Sequence, residues 1–136
     1  MRLLRLGFTG GYLVLVALIT LWPSLQGAGS PGFVDRLFVW FSSLGFDVSF
    51  DFFEKFTNVL LFLPFGFLGL WFFGVSRFWP VVVAGFGVSV FIEALQLFIP
   101  GRVSSVLDVV LNGFGGFLGA LLWLGLLALV KGWRHL

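Results

Sequence analysis

Residues 108–131 read DVVLNGFGGFLGALLWLGLLALVK. Between Asp108 and Lys131 no residue carries a charge. Wound as a helix at 1.5 Å per residue, residues 109–130 rise about 33 Å, which crosses the roughly 30 Å hydrocarbon core of a bilayer. The run reads as a membrane span, residues 108–130, and it frames the rest of the chain.

Three more stretches have the same character: residues 6–25, 57–75 and 80–99. Pro80 suits the first turn of a helix and Pro100 marks the end of one, so the third pair of boundaries is the firmest. Composition agrees. Of 136 residues, 60% are apolar and 10% charged, against about 25% charged in a soluble domain, so a soluble fold would lack polar surface. Twenty Phe residues suit lipid-facing belts. The fold expected is all-α, an integral membrane four-helix bundle forming a single domain over residues 1–136. The first run follows Arg2 and Arg5 and precedes Gly27-Ala28-Gly29-Ser30, as in a signal peptide. It is long for such a segment and lacks an A-x-A site, so it reads as a retained span.

Basic loops face the cytoplasm. Arg2, Arg5, Arg77, Lys131 and Arg134 fall on one side of this topology, and Arg36, Lys55 and Arg102 on the other. Both termini are therefore expected in the cytoplasm of a cell-membrane protein. The outside segment, residues 26–56, carries Phe33, Leu37, Trp40, Phe41 and Leu44 at helical spacing. Residues 31–46 are too short to span and read as an interfacial amphipathic helix between the first and second spans, or else as a cap over the bundle.

A carboxylate at the bilayer centre costs about 2.5–3.5 kcal/mol on insertion scales, so Glu93, well inside the third span, needs a reason. Ser89 and Gln96 share its face at helical spacing, with Gly85 below. In the fourth span Asp108 and Asn112 share a face with Gly115 and Gly119, a G-x-x-x-G spacing that admits a neighbouring helix. The second span offers Asn58 above Gly66 and Gly69. Three helices thus each present polar groups at one end and small residues inward. Arg102, in the turn before the fourth span, can fork between Glu93 and Asp108, and Ser104 or Ser105 can cap that helix. This arrangement reads either as a clamp joining helices or as a ligand site. Five polar groups from three helices exceed what a clamp needs, which favours the site.

Other chemistry is poorly provided for. No Lys/Arg cluster could neutralise several phosphates, so nucleic acid is not an expected partner. With no Cys, disulfides and thiolate chemistry are excluded. The one histidine, His135, stands next to the C-terminus. Glu93 and Asp108 could act as an acid–base pair, but no nucleophile–base set accompanies them. Oxygen ligands exist on Glu93, Gln96, Asp108 and Asn112, yet neither metal nor cofactor is expected. Four helices without an internal repeat make a poor monomeric transporter.

The stretch Glu93-Ala-Leu-Gln96-Leu-Phe98-Ile-Pro100-Gly-Arg102-Val-Ser-Ser105-Val-Leu-Asp108-Val-Val-Leu-Asn112-Gly-Phe-Gly115-Gly-Phe-Leu-Gly119 resembles the VanZ-like family. That family's pattern is E-x-x-Q-x-F-x-P-x-R-x-x-S-x-x-D, a hydrophobic residue, x-x-N-x-x-G-x-x-x-G. The segment Lys55-Phe-Thr-Asn58-Val-Leu-Leu-Phe62-Leu-Pro64-Phe-Gly66 looks like its second-helix motif, in the variant with Asn rather than His after Lys. The resemblance is strongest over residues 50–125, and Gly113 is a mild departure where Thr is common. It implies a cell-envelope protein, since the founding member is associated with low-level teicoplanin resistance. The leading expectation is an amphiphilic ligand, a lipid-linked wall precursor or a lipoglycopeptide, bound outward of the bilayer centre at Asn58, Glu93, Gln96, Arg102, Ser105, Asp108 and Asn112. Two alternatives stay open. One is a membrane enzyme acting on lipid or polyprenyl phosphate head groups. The other is an accessory subunit forming homo- or hetero-oligomers through its glycine-lined helix faces.

Overall fold

The computed structural model describes residues 2–21, 33–46, 48–99 and 104–133. Among them the order is α1 (Arg2–Leu21), α2 (Phe33–Ser43), α3 (Phe50–Phe73), a 3₁₀ turn (Val75–Arg77), α4 (Phe78–Gln96) and α5 (Val106–Trp133). Helices α1, α3, α4 and α5 are long and apolar enough to cross a membrane. The chain is a multi-pass membrane protein by architecture. Its many exposed large hydrophobics, such as Phe91, Phe98 and Val106, are what a lipid-facing surface requires and what a soluble monomer avoids.

Local chemistry sets the boundaries. Helix α3 starts seven residues before the expected 57, because Ser49 is extended and its hydroxyl accepts from the Phe52 N–H at 3.2 Å. Asp51 then sits in the first turn, where the helix dipole favours an acid, and Lys55 one turn on donates to it at 2.6 Å. The helix stops at Gly74, whose φ of 89° and ψ of 162° lie in a region only glycine enters readily. Helix α4 has Pro80 in its first turn and ends at Gln96, three residues short of the expected 99. Residues 97–99 are turns, with Phe98 N–H on Leu95 O and Ile99 N–H on Gln96 O, as the approach of Pro100 disfavours helix in the residue before it.

Helices α3 and α5 make the most extensive contact in the molecule. A methyl group on Gly66 would run into the Gly116 carbonyl, one on Gly115 into that of Val59, and one on Gly119 into that of Leu63. Backbone therefore meets backbone along two turns of each helix. These glycines therefore pack helix on helix within the chain, and Gly69 likewise closes on Val81 of α4. The apolar core between α3, α4 and α5 is Leu70, Val81, Val82 and Ala120. Helix α1 adds a second, smaller cluster, with Val16 against Phe62 and Ile92. Helix α2 lies on the start of α3, where the rings of Phe38 and Phe41 each reach Phe53 at 5.4 Å.

The spans alternate in direction. Arg5 of α1 stands over the Trp71 ring near the end of α3, at 5.5 Å, while Thr20 at the other end of α1 meets Gln96 at the end of α4. The last turns of α1 and α4 and the first turns of α3 and α5 therefore share one end of the bundle.

Candidate functional site

That shared end holds the polar residues. The inner face of α4 buries Gly85, Ser89, Glu93 and Gln96. Among the described residues the buried polar side chains are Ser89, Glu93, Gln96 and Asn112, all on α4 and α5. Such groups in an apolar bundle persist only when bonded, and each has a partner.

Glu93 is 6% exposed, and its Oε2 accepts from the Ser105 backbone N–H at 2.8 Å. Ser105 is the cap residue of α5, its carbonyl accepting from the Asp108 and Val109 amides. One of the amides that a helix start leaves unpaired is thus satisfied by an acid from the neighbouring helix. The positive end of the α5 dipole favours that acid. Asp108, in the first turn of α5, hydrogen-bonds Asn58 of α3 and lies within electrostatic reach of Glu93 and Lys55. Glu93, Ser105, Asp108 and Asn58 thus form one cluster drawn from three helices.

One turn deeper, Asn112 Nδ2 donates to Ser89 Oγ at 2.8 Å, and Asn112 Oδ1 is buried without a partner. Gln96 points elsewhere, its Nε2 donating to the Thr20 carbonyl of α1 at 2.9 Å. Of the seven residues singled out in the sequence, four make the cluster, Asn112 lies beneath it, and Gln96 joins helices. Arg102 lies outside the described residues.

Two further partners carry no sequence signal strong enough to be found. Thr20 takes part through its backbone carbonyl, which every residue has. Tyr12 donates from its hydroxyl to the Leu61 carbonyl at 2.7 Å and stands beside the Phe65 N–H. It meets α3 where Pro64 interrupts the helical ladder. A lone tyrosine in an apolar run reads as a belt aromatic, which is why α1 looks featureless.

Chemically, the cluster is a carboxylate pair with an amide and a backbone N–H at the end of an apolar bundle. It can accept hydrogen bonds, balance a cation or relay a proton. Among the described residues no three His, Cys, Asp or Glu side chains gather as a metal site would need.

Neither a curated protein nor a solved structure shows significant similarity to the chain. The model of the VanZ/LLP1 family, however, matches residues 9–129, a span that takes in the cluster, the Ser89–Asn112 pair and the Gln96 contact with α1. The chain belongs to the VanZ/LLP1 family.

Proposed function

We propose that the protein binds an amphiphilic envelope molecule, a lipid-linked wall precursor or a lipoglycopeptide, at the Glu93–Asp108 cluster, and thereby contributes to teicoplanin resistance. The observation that carries this reading is Glu93. A carboxylate 6% exposed in an apolar helix accepts from the Ser105 N–H and lies within electrostatic reach of a second carboxylate, Asp108. Joining α4 to α5 needs at most one of these, since Ser89 and Asn112 already bond the same two helices. The second acid supports a role in meeting a ligand.

The cluster end is the outward one in this proposal. Arg5 and Arg77 lie toward the opposite end of the bundle, as does Lys131 in the last turn of α5, and by the positive-inside rule these basic residues support a cytoplasmic position for both termini. The exposed Trp40 of α2 and Phe46 just after it offer apolar surface at the same end of the bundle for the ligand's tail. Arg102, next in sequence to the cluster, supplies the cation for an anionic head group.

The test is teicoplanin susceptibility of a null strain complemented with Glu93→Gln, Arg102→Ala or Asp108→Asn, at matched membrane levels. Each variant is expected to lose complementation. Full complementation by all three would overturn the reading. The carboxylate pair also suits a head-group hydrolase or transferase, with one acid and one base. Turnover of a labelled polyprenyl phosphate by purified protein, lost in Glu93→Gln, would favour that second reading.

A further inference from the structure

We infer that the seam between α1 and α4 is a lateral entry surface, through which the apolar chain of a membrane amphiphile reaches the Glu93 cluster from the bilayer. What enters rests on the function proposed above; where it enters rests on packing.

Three of the helix pairings are closed at short range. Helices α3 and α5 meet backbone to backbone at Gly66, Gly115 and Gly119, and α3 meets α4 at Gly69 against Val81. Helices α4 and α5 are joined by Ser89–Asn112 and Glu93–Ser105. Helix α1 is different. Val16 is its one buried residue among those described, and a Cβ added at Gly7, Gly10 or Gly11 would meet open space. Among the described residues α1 is held by the Val16 cluster, by Arg5 and Phe8 against the Trp71 ring, and by hydrogen bonds that include Tyr12 to the Leu61 carbonyl and Gln96 to the Thr20 carbonyl.

Apolar burial does not drive helices together in lipid, because lipid tails cover an apolar face as well as another helix does. Separating α1 from α4 therefore loses local packing and the Gln96 latch, while the Tyr12 latch ties α1 to α3 and limits how far it can swing. The surface uncovered is apolar at Val16 and Ile92, next in sequence to Glu93, and ends at the buried amide of Gln96. An acyl or polyprenyl chain fits the first part. Gln96, released from Thr20, offers its amide to the polar head group. The latch and the head-group contact are the same side chain.

The chain has no cysteine, so a single Ile92→Cys variant in phosphatidylcholine vesicles reports on the seam without background. It is treated with a long-chain alkyl maleimide dissolved in the bilayer, or with a charged maleimide in the water. The alkyl reagent is expected to label it faster. Gln96→Leu and Tyr12→Phe are each expected to raise the alkyl rate about three- to tenfold, the factor that a latch of about 0.6–1.4 kcal/mol sets on an opening equilibrium. Leu70→Cys, in the core of the other three helices, is expected to stay slow throughout, which separates seam opening from general loosening. Faster labelling by the charged reagent, unchanged rates in both latch variants, or a parallel rise at Leu70→Cys would each overturn the inference. These rates judge the seam whatever the Glu93, Arg102 and Asp108 variants do in the susceptibility test, so the two readings fail separately.

Discussion

The Ser89–Asn112 pair makes a prediction in which the sign matters more than the size. Asn112 is 4% exposed and Ser89 fully buried. They share one hydrogen bond of 2.8 Å, and Asn112 Oδ1 has no partner. Ser89→Ala removes the acceptor of that bond and leaves the whole Asn112 amide unpaired between α4 and α5. A hydrogen bond between membrane helices contributes about 0.6 kcal/mol on average, and stranding a buried polar group costs about 1–3 kcal/mol more. The loss should be about 1–2 kcal/mol, since the dissociated helices also find partners for the amide. Asn112→Leu removes the same bond but also removes both ends of the stranded amide, at similar side-chain volume. Ser89 can then turn its hydroxyl to the carbonyl one turn back in α4. The net effect should lie within about 0.5 kcal/mol of zero or be stabilising, because with Ser89 bonded within its own helix no buried polar group is left stranded. The double variant should match Asn112→Leu, which gives a coupling of about 1–2 kcal/mol between the sites. Unfolding in mixed detergent micelles, followed by the fluorescence of the six tryptophans, measures all four corners of the cycle. An Asn112→Leu variant less stable than Ser89→Ala would refute the reasoning, and would mean that the unpaired oxygen holds something in the folded protein. A stabilised Asn112→Leu that fails to complement the null strain would show that the amide is kept for function against stability.

Other substitutions test the fold. Gly119→Ala should destabilise by about 2 kcal/mol or more. The added methyl collides with the Leu63 carbonyl, and the damage exceeds the gain of about 1 kcal/mol in helix propensity; a raised melting temperature would contradict the backbone contact between α3 and α5. Gly10→Ala, where nothing lies within 4 Å, should show only that propensity gain, so the two variants differ in sign on the same melting curve. Gly74→Ala should cost about 1–3 kcal/mol, because an L-residue is strained at a φ of 89° with ψ of 162°. Tyr12→Phe should cost about 0.6–1.7 kcal/mol, seen as faster proteolysis of α1 with the other spans still protected.

Most of the fold was legible because membrane spans are a matter of length and apolarity, and residues 109–130 satisfy both with no charge. The helix ends were less so. The start of α3 at Phe50 depends on Ser49 as a cap, and a serine amid Phe-rich sequence is a weak signal beside the long apolar run that follows. The site was legible where helical periodicity speaks: Ser89, Glu93 and Gln96 share one face, Asp108 and Asn112 another. Periodicity says which residues face inward but not which helix receives them. Gln96 shares its face with Glu93, yet it bonds a carbonyl of α1, and a backbone carbonyl has no letter in the sequence.

The glycines connect the two levels. Lipid offers no hydrophobic pressure to hold α3 against α5, so their approach depends on close contact, and close contact on the absence of side chains at Gly66, Gly115 and Gly119. That approach carries a consequence one to three turns away. With the helices backbone to backbone at Val59 and Gly115, Asn58, the residue before Val59, reaches Asp108, two turns from Gly115 along α5. A wider spacing would withdraw the amide from the carboxylate and leave Asp108 to face Glu93 without it. Gly115→Ala should therefore act at a distance, lowering complementation as Asp108→Asn does while every polar side chain of the cluster remains in place. If Gly115→Ala complemented fully with its melting temperature unchanged, the glycine seam would be packing alone, and the geometry of the cluster would have to come from α4.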